Sequence, residues 1–139
     1  RLTMLTAKQV QNDIYQMLCT STLSSMISGA VYKAGYRPRD SRLEDAIVIF
    51  TAGLAAEVET GVVTINIYVP DIAPYDNGVF VEDGARTVEL ESAAVEWVET
   101  LTAEKSNYKF SLNKTIYTEA DADIKQHFVV IVLEYKYLL

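Results

Sequence analysis

Two runs of β-branched and aliphatic residues constrain the fold of this chain more than any other feature. One covers Asp45 to Thr51 and the other covers His127 to Tyr135, and the middle of each run is apolar at consecutive positions. Because neighbouring side chains of a strand point to opposite faces, such runs predict two central strands that are buried on both faces. Each run is far shorter than the ~20 apolar residues that a membrane-spanning helix needs.

A third strand is predicted from Glu57 to Val69, antiparallel to the first run. Its later half alternates, and the residues that would share the buried face are Val63, Ile65, Ile67 and Val69. The same parity would place Glu57 and Glu59 in the core. One inserted residue at Gly61 would instead turn both glutamates outward and bring Val58 inward, so we predict a β-bulge there.

Two segments have helical periodicity. Thr6 and Gln9 have the spacing of a capping box, which predicts a helix that begins at Ala7. The hydroxyl-rich run from Thr20 to Ser25 should end this helix, because its side chains compete for backbone hydrogen bonds. The clearest helix is predicted from Thr87 to Ala103. Its expected apolar face, bordered by Trp97, consists of Val88, Ala94, Val95, Val98 and Leu101.

The remaining elements complete an α+β pattern. Short strands are predicted from Gly29 to Tyr32 and from Tyr108 to Leu112, and an acidic segment joins the latter to the last strand. Helix, three strands, helix and two strands predict one largely antiparallel, or mixed, sheet of four to five strands with two helices on one face. With 139 residues, half of them apolar, the chain is long enough for a single domain, residues 1–139.

The net charge of −7 is unevenly distributed. Residues 1–43 carry six basic and two acidic side chains, whereas residues 44–139 carry six basic and 17 acidic ones. The acidic total disfavours nucleic acid as a partner, because binding to a phosphate backbone needs positive charge. The basic range 1–43 and the acidic range 44–139 could attract each other between copies of the chain, head to tail, or could attract a charged partner. The alternative is that these charges belong to an ordinary solvated surface.

The sequence contains no spacing typical of a catalytic motif, which favours a non-enzymatic protein without cofactor or metal. The single histidine, His127, has no second histidine to share a zinc ion, and we interpret it as structural. Cys19 is expected to be a buried, inert thiol. Glu119, Asp121 and Asp123 alternate like the start of a calcium loop but lack its glycine and closing glutamate, which favours a solvated acidic loop.

A polar, proline-containing loop holds the first candidate for partner binding. Its three arginines, Arg37, Arg39 and Arg42, lie within six positions in an otherwise acidic chain. Clustered guanidinium groups repel one another unless they are solvated or paired with carboxylates. The loop either docks on an acidic surface or pairs its arginines with Glu44 and Asp45 of the same chain.

The segment from Pro70 to Arg86 holds the second candidate. It is long for a connection in a small domain and combines turn-forming residues with apolar ones. It could fold back as a hairpin around Asn77-Gly78, or it could project as an arm whose apolar side chains are buried by a partner. The side chains expected to contact that partner are Ile72, Tyr75 and Phe80.

Four segments between Gly29 and Asp71 carry a resemblance to known proteins. They are Gly29-Ala-Val-Tyr32, Arg37-Pro38, Glu44-Asp45-Ala-Ile-Val-Ile49 and Gly61-Val-Val-Thr-Ile-Asn-Ile-Tyr-Val-Pro-Asp71. These segments resemble small proteins encoded among the head and tail genes of Bacteroides-type prophages. The order of elements is also similar to that of the tail-terminator and head-to-tail joining proteins of long-tailed phages. The shared motifs are structural and include no catalytic or ligand-binding pattern.

The resemblance implies a non-enzymatic subunit that forms a ring with copies of itself, often a hexamer, which caps the tail tube and contacts the neck of the capsid. It implies the bacterial host cytoplasm during assembly and the tail or neck of the virion afterwards, without a membrane partner. Two other classes of function stay open. One is a small adaptor that binds a protein partner through the same arginine loop, and the other is a small hydrolase that uses His127 or the acidic loop.

Overall fold

The computed structural model describes residues 4–104 and 106–138. The helices are α1 (Ala7–Cys19), α2 (Thr22–Met26) and α3 (Gly84–Ala103). The strands are β1 (Val31–Lys33), β2 (Ala46–Leu54), β3 (Glu59–Pro70), β4 (Tyr108–Leu112), β5 (Tyr117–Asp121) and β6 (Gln126–Tyr137). A short 3-10 turn, Ala122–Ile124, joins β5 to β6.

The strands form one mixed sheet in the order β1-β2-β3-β6-β4, with β5 also paired to β6. β1 and β2 are parallel, and the other pairs are antiparallel. The predicted α+β class is therefore confirmed, with six strands instead of four to five. The additional strand is β5, which pairs with β6 from Tyr117 opposite Val130 to Asp121 opposite Gln126. The sequence had indicated only an acidic connection there.

The core lies between the helices and one face of the sheet. Alternate residues of β3 and β6 supply the sheet side, namely Val63, Ile65, Ile67, Val69, Val129, Ile131 and Leu133. Val130 and Val132 are buried on the opposite face of β6, so this strand is central as predicted. β2 is less enclosed than predicted. Its Ile47 and Ile49 are only half-buried, because no helix among the described residues covers that face.

Helix α1 begins at the predicted residue. The hydroxyl of Thr6 accepts a hydrogen bond from the Gln9 N–H, and the Gln9 side chain accepts one from the Thr6 N–H, which completes the capping box. The helix ends at Cys19, as expected from the hydroxyl-rich run. The same run then forms α2, which the sequence did not predict. Ser21 supports this short helix by accepting a hydrogen bond from the Ser24 N–H.

Helix α3 begins at Gly84, three residues before the predicted start, because Asp83 caps the helix by accepting from the Arg86 N–H. Its buried face is also rotated from the predicted one. Val88 and Val95 are exposed, whereas Trp97, expected at the border, is buried with Thr87, Leu90, Ala93, Ala94, Val98 and Leu101. No helix in residues 4–104 and 106–138 is long and apolar enough to cross a membrane.

The predicted bulge at Gly61 is wrong. The register shift lies instead in β2, between Phe50 and Ala52. Glu59 is therefore buried, and its carboxylate accepts a hydrogen bond from the Leu5 N–H at 2.7 Å. Val58 is exposed. A carboxylate on the inward parity is tolerated here because a backbone donor satisfies it at the end of the strand.

Candidate functional site

The arginine loop of the sequence analysis is only partly available to a partner. The guanidinium of Arg37 lies over the ring of Tyr68, 4.2 Å from its centroid, and its Nε donates to Asp45 Oδ2 at 2.8 Å. Its side chain is 11% exposed, and that of Asp45 is 1% exposed. Arg37 thus pairs within the chain, as one of the two interpretations expected.

Further hydrogen bonds connect the same loop to β6. Arg37 Nη2 donates to Gln126 Oε1 at 2.8 Å, and Gln126 Nε2 donates to the Ser41 carbonyl at 2.9 Å. Asp45 also accepts from the Ser41 hydroxyl and from the Ala30 N–H. Burial raises the pKa of the Asp45 carboxyl, but hydrogen bonds from Arg37, Ser41 and Ala30 outweigh it and hold the pKa below its ordinary value.

The other two arginines are more exposed. Arg42 donates to the carbonyls of Ile124 and Lys125, at 3.0 and 3.4 Å. Arg39 is exposed, and no described residue pairs with its guanidinium. The structure therefore leaves Arg39, and part of Arg42, as the cationic surface of this loop. Glu44, the second expected partner, pairs with an arginine of α3 instead.

That arginine is Arg86, which joins the loop to the start of α3. Its Nε and Nη2 donate to the two carboxylate oxygens of Glu44 at 2.7 and 2.8 Å, and Nη2 also donates to the Met26 carbonyl. The hydrogen bonds from Arg86 lower the pKa of Glu44, although burial opposes them. No local pattern indicates this pair, since the two residues are 42 positions apart.

Of the predicted segment from Pro70 to Arg86, the part from Asp71 to Glu82 connects β3 to the start of α3, and from here on we call this part the arm. It folds back on itself, because Ile72 and Val81 form an antiparallel bridge with two backbone hydrogen bonds of 2.9 Å. At the tip, Asp76 and Gly78 have positive φ angles of 50° and 77°, a conformation typical of tight turns. The hairpin interpretation around Asn77-Gly78 is thereby favoured, and the hairpin still presents its side chains outward.

Large apolar side chains are exposed along this arm. They are Ile72, Tyr75, Val79, Phe80 and Val81, with exposed fractions between 37% and 74%. Tyr75 is the most exposed of the five, and Phe80 lies under the Lys125 ammonium, 4.6 Å from the ring centroid. All three arm residues predicted to bind a partner are therefore accessible. Several exposed apolar side chains on one segment are typical of interaction sites.

His127 contacts both ends of the arm. Its Nδ1 lies 2.6 Å from Asp71 Oδ1 and its Nε2 lies 3.7 Å from Glu82 Oε1, so the ring sits between the two ends of the arm. Asp71 also donates its N–H to the Lys125 carbonyl, and Glu82 accepts from the Thr87 hydroxyl. Both ring nitrogens face carboxylates, an arrangement that fits the structural interpretation of His127.

The remaining chemical candidates are spread over the surface. Cys19 is exposed, contrary to the expected burial, because it lies at the end of α1 outside its buried face. Glu119 lies on β5 and accepts from the Tyr117 hydroxyl. Within the described ranges, no three His, Cys, Asp or Glu side chains are grouped so that they could hold a metal ion.

A depression that sequence reasoning missed lies beside β1. Its volume is about 550 Å³, and it is lined by Lys8, Gln11, Tyr15, Val31, Tyr32, Lys33 and Tyr36. Lys33 Nζ donates to Asn12 Oδ1 at 2.9 Å and lies 5.0 Å from the centroid of the Tyr15 ring. The lining contains two lysines and no carboxylate. The only signal in the sequence was the basic character of residues 1–43.

No protein-family model matches the sequence, and no curated protein matches it. A solved structure of a protein without a functional name resembles this fold with a TM-score of 0.45. The two chains are 13% identical, and the match covers 94% of this chain and 96% of the other. A likeness at this level carries no functional argument.

Proposed function

We propose that this chain is a non-enzymatic subunit of a phage virion, of the tail-terminator or head-to-tail joining kind, which associates with copies of itself into a ring. The observation that carries self-association is the apolar arm from Asp71 to Glu82. The assignment to a virion rests on the resemblance of the segments between Gly29 and Asp71. In the virion the ring would contact the tail tube or the neck.

The composition of the arm supports a role in protein contacts. Aromatic residues are enriched at protein interfaces and dominate their binding energy, and Tyr75 and Phe80 provide two of them. Exposing five large apolar side chains on one short hairpin is unfavourable in water unless a partner covers them. Burial of the arm by another subunit removes that unfavourable exposure.

The geometry of the arm also lowers the cost of binding. The bridge between Ile72 and Val81 and the contacts of His127 with Asp71 and Glu82 tie the two ends of the arm together before a partner arrives. Less conformational entropy is then lost on association, so more of the contact energy becomes affinity. A preformed arm is therefore suited to repeated, identical contacts.

The charge asymmetry supports a ring over a symmetric dimer. A ring needs two different surfaces on each subunit that fit each other, whereas a two-fold dimer uses one surface twice. Residues 1–43 are net basic and residues 44–139 are net acidic. Arg37 is already paired with Asp45, so among the arginines of its loop the positive charge available for attraction between unlike surfaces is that of the exposed groups, Arg39 and part of Arg42.

The test is sedimentation and light scattering of the purified chain up to the highest attainable concentration. The unmodified chain should form a closed oligomer whose mass is a multiple of the monomer. The double variant Tyr75→Ser/Phe80→Ser should weaken assembly at least tenfold, as truncation of two aromatic anchors does. The matched control is Val88→Ser/Val95→Ser, which removes two exposed apolar side chains from α3 and should assemble normally.

Two results would overturn the proposal. A chain that stays monomeric at every concentration does not form a ring by itself. An arm variant that assembles as well as the control shows that the arm is not a subunit contact. A discrete complex with a single foreign protein, formed without self-association, would instead support the adaptor class.

A further inference from the structure

The depression beside β1 is a concave surface that the described chain leaves uncovered. It lies between α1 and β1, and β1 pairs with β2 alone, so no further strand follows at this edge of the sheet among the described residues. Tyr15 of α1 and Tyr36 of the turn after β1 belong to its lining, and Tyr36 is 73% exposed. Aromatic side chains around a concave surface are typical of sites that bind a partner.

The polar groups of the depression are suited to an acidic occupant. The contacts of Lys33 with Asn12 and with the Tyr15 ring involve neutral groups, so its ammonium keeps its positive charge. Lys8 is exposed, and no described residue pairs with its ammonium. Because no carboxylate lines the depression, the two positive charges are not neutralised from within it.

Gln11 adds an acceptor to the same depression. Its side chain lines the depression although the residue is only 6% exposed. Its Nε2 donates to the Val48 carbonyl at 3.0 Å, and no donor in the described part of the chain reaches its Oε1. This oxygen is therefore left for water or for a hydrogen-bond donor that enters the depression.

The arm of the same chain has the complementary groups at its tip. The arm contains no lysine or arginine, and Asp76 at the tip is exposed, with no described partner for its carboxylate. Lys125 does contact the arm, but at Phe80, which adjoins the bridge at the base. The tip therefore carries a negative charge. It also carries two donors, the Tyr75 hydroxyl and the Asn77 Nδ2, that no described residue accepts from.

The arm and the depression lie at separate places on one subunit. The arm starts where β3 ends, at Pro70 opposite Gln126 of β6, whereas the depression lies beside β1, on the other side of β2. One copy can therefore insert its arm into a neighbour while its own depression receives the arm of another copy. Contacts between two unlike surfaces are those that build rings.

We propose that the tip of the arm of one copy docks in the depression beside β1 of a second copy, with Asp76 facing Lys8 and Lys33. This inference rests on the proposed self-association and names the surface that receives the arm. Tyr75 then packs among the aromatic side chains of the depression, and a donor of the tip reaches Gln11 Oε1. The occupant is a second copy because the arm exposes apolar side chains that need cover and carries the charge that the depression lacks.

Charge reversal on the purified full chain tests this arrangement. Sedimentation and light scattering measure the concentration at which half of the chain is assembled. Asp76→Lys, and separately the double variant Lys8→Glu/Lys33→Glu, each place like charges at the contact. Each protein should need at least a tenfold higher concentration to assemble.

The controls make the same charge changes elsewhere. Glu99→Lys lies on α3, and Lys109→Glu/Lys136→Glu lies on β4 and β6, at the end of the strand order opposite to β1. All three side chains are exposed. Both control proteins should assemble like the unmodified chain.

Mixing the two defective proteins supplies the second readout. In an equimolar mixture, the reversed arm of the Asp76→Lys protein meets the reversed depression of the Lys8→Glu/Lys33→Glu protein, and the other pairing keeps its original charges. The mixture should assemble again, and so should a single chain that carries all three substitutions. Misfolding of either protein would not be repaired in this way.

The outcomes separate this inference from the proposed function. If Tyr75→Ser/Phe80→Ser weakens assembly but Lys8→Glu/Lys33→Glu assembles like its lysine control, the arm binds another surface, so this inference fails and the ring remains. If both charge variants are defective and neither the mixture nor the triple variant assembles, Asp76 does not face the two lysines, and the inference is overturned. If the unmodified chain is monomeric at every concentration, both proposals fail.

Discussion

The guanidinium of Arg37 is stacked on the ring of Tyr68 and at the same time paired with Asp45, so one side chain joins the irregular loop to β3 and to the residue that precedes β2. The stack lies on the face of the sheet that faces away from the helices, because Tyr68 alternates with the core residues of β3. Burial also raises the pKa of the Tyr68 hydroxyl. A flat guanidinium satisfies both contacts, since its face packs on the ring while its edge donates hydrogen bonds.

Arg37→Ala should destabilise the fold by about 3 kcal/mol, because it leaves the buried Asp45 carboxylate without its counter-charge. Arg37→Lys should recover only part of this loss, since an ammonium cannot stack and donate from several edges at once. Urea unfolding at neutral pH measures both. The matched control is Arg39→Ala on the same loop, which should change the free energy of unfolding by less than about 0.5 kcal/mol. Equal effects of the Arg37→Ala and Arg39→Ala variants would contradict the structural role of Arg37.

The chain should lose stability in acid through Asp45 and Glu44. Both carboxyls have folded-state pKa values below their ordinary values of 3.8 and 4.5, so the folded state prefers them ionised. Their contribution is therefore complete above the ordinary values and is lost as the pH falls through the lowered folded values. Urea midpoints measured from neutral pH downward should decline in that window. Glu44→Gln should flatten the decline, and an unchanged acid profile in this variant would contradict the assignment.

His127→Ala should loosen the arm without unfolding the sheet. The ring bridges Asp71 and Glu82, and its loss removes the side-chain contacts that close the base of the arm. The amides of Ile72 and Val81, which donate to each other's carbonyls, should then exchange with solvent faster. Hydrogen exchange followed by NMR measures both amides. Unchanged protection of the two would show that the backbone bridge holds the arm without the histidine.

Local patterns in the sequence predicted most of the elements. The capping box at Thr6 and Gln9, and the apolar runs that became β2 and β6, depend on neighbours within a few positions, so they are readable without the fold. The α+β class followed from their order. The Arg86 to Glu44 pair was not predictable, because it joins residues 42 positions apart whose meeting depends on where α3 docks.

The predictions that failed did so because contacts between residues distant in sequence decide these parts of the structure. The bulge was placed at Gly61 to avoid a buried glutamate, but the Leu5 N–H satisfies Glu59, a contact across 54 positions. β5 was missed because its sequence, Tyr-Thr-Glu-Ala-Asp, lacks a buried apolar face and is held at the sheet edge by pairing with β6. Of the candidate site residues, Arg37 was left open between an acidic partner and the carboxylates of Glu44 and Asp45. Its pairing with Asp45 was one of these alternatives, whereas its contacts with Tyr68 and Gln126 were not predictable because both residues are distant in sequence.

Asn66→Val should stabilise the chain by about 1 kcal/mol. Asn66 lies between Ile47 and Val130 on the face of the sheet without helices, and its Oδ1 is buried with no hydrogen-bond partner among the described residues. Valine removes the unsatisfied acceptor and favours a strand. Thermal and urea unfolding measure the change. Thr64→Val is the control, since the Thr64 hydroxyl is already paired with Thr51; a larger gain there than at Asn66 would contradict the argument.

Gly61→Ala should destabilise the fold by about 2 kcal/mol, because the position has no room for a methyl group. An added Cβ would overlap the Ala52 carbonyl of the neighbouring strand and lie 2.6 Å from the Tyr135 ring. The Ala52 carbonyl belongs to the backbone of a paired strand and the Tyr135 ring is buried, so neither can move away to make room for the methyl group. Gly84→Ala is the matched control, because nothing lies within 4 Å of an added Cβ there and alanine favours the helix. Urea unfolding should separate the two variants, and equal stability would contradict the close packing of β2, β3 and β6 at this point.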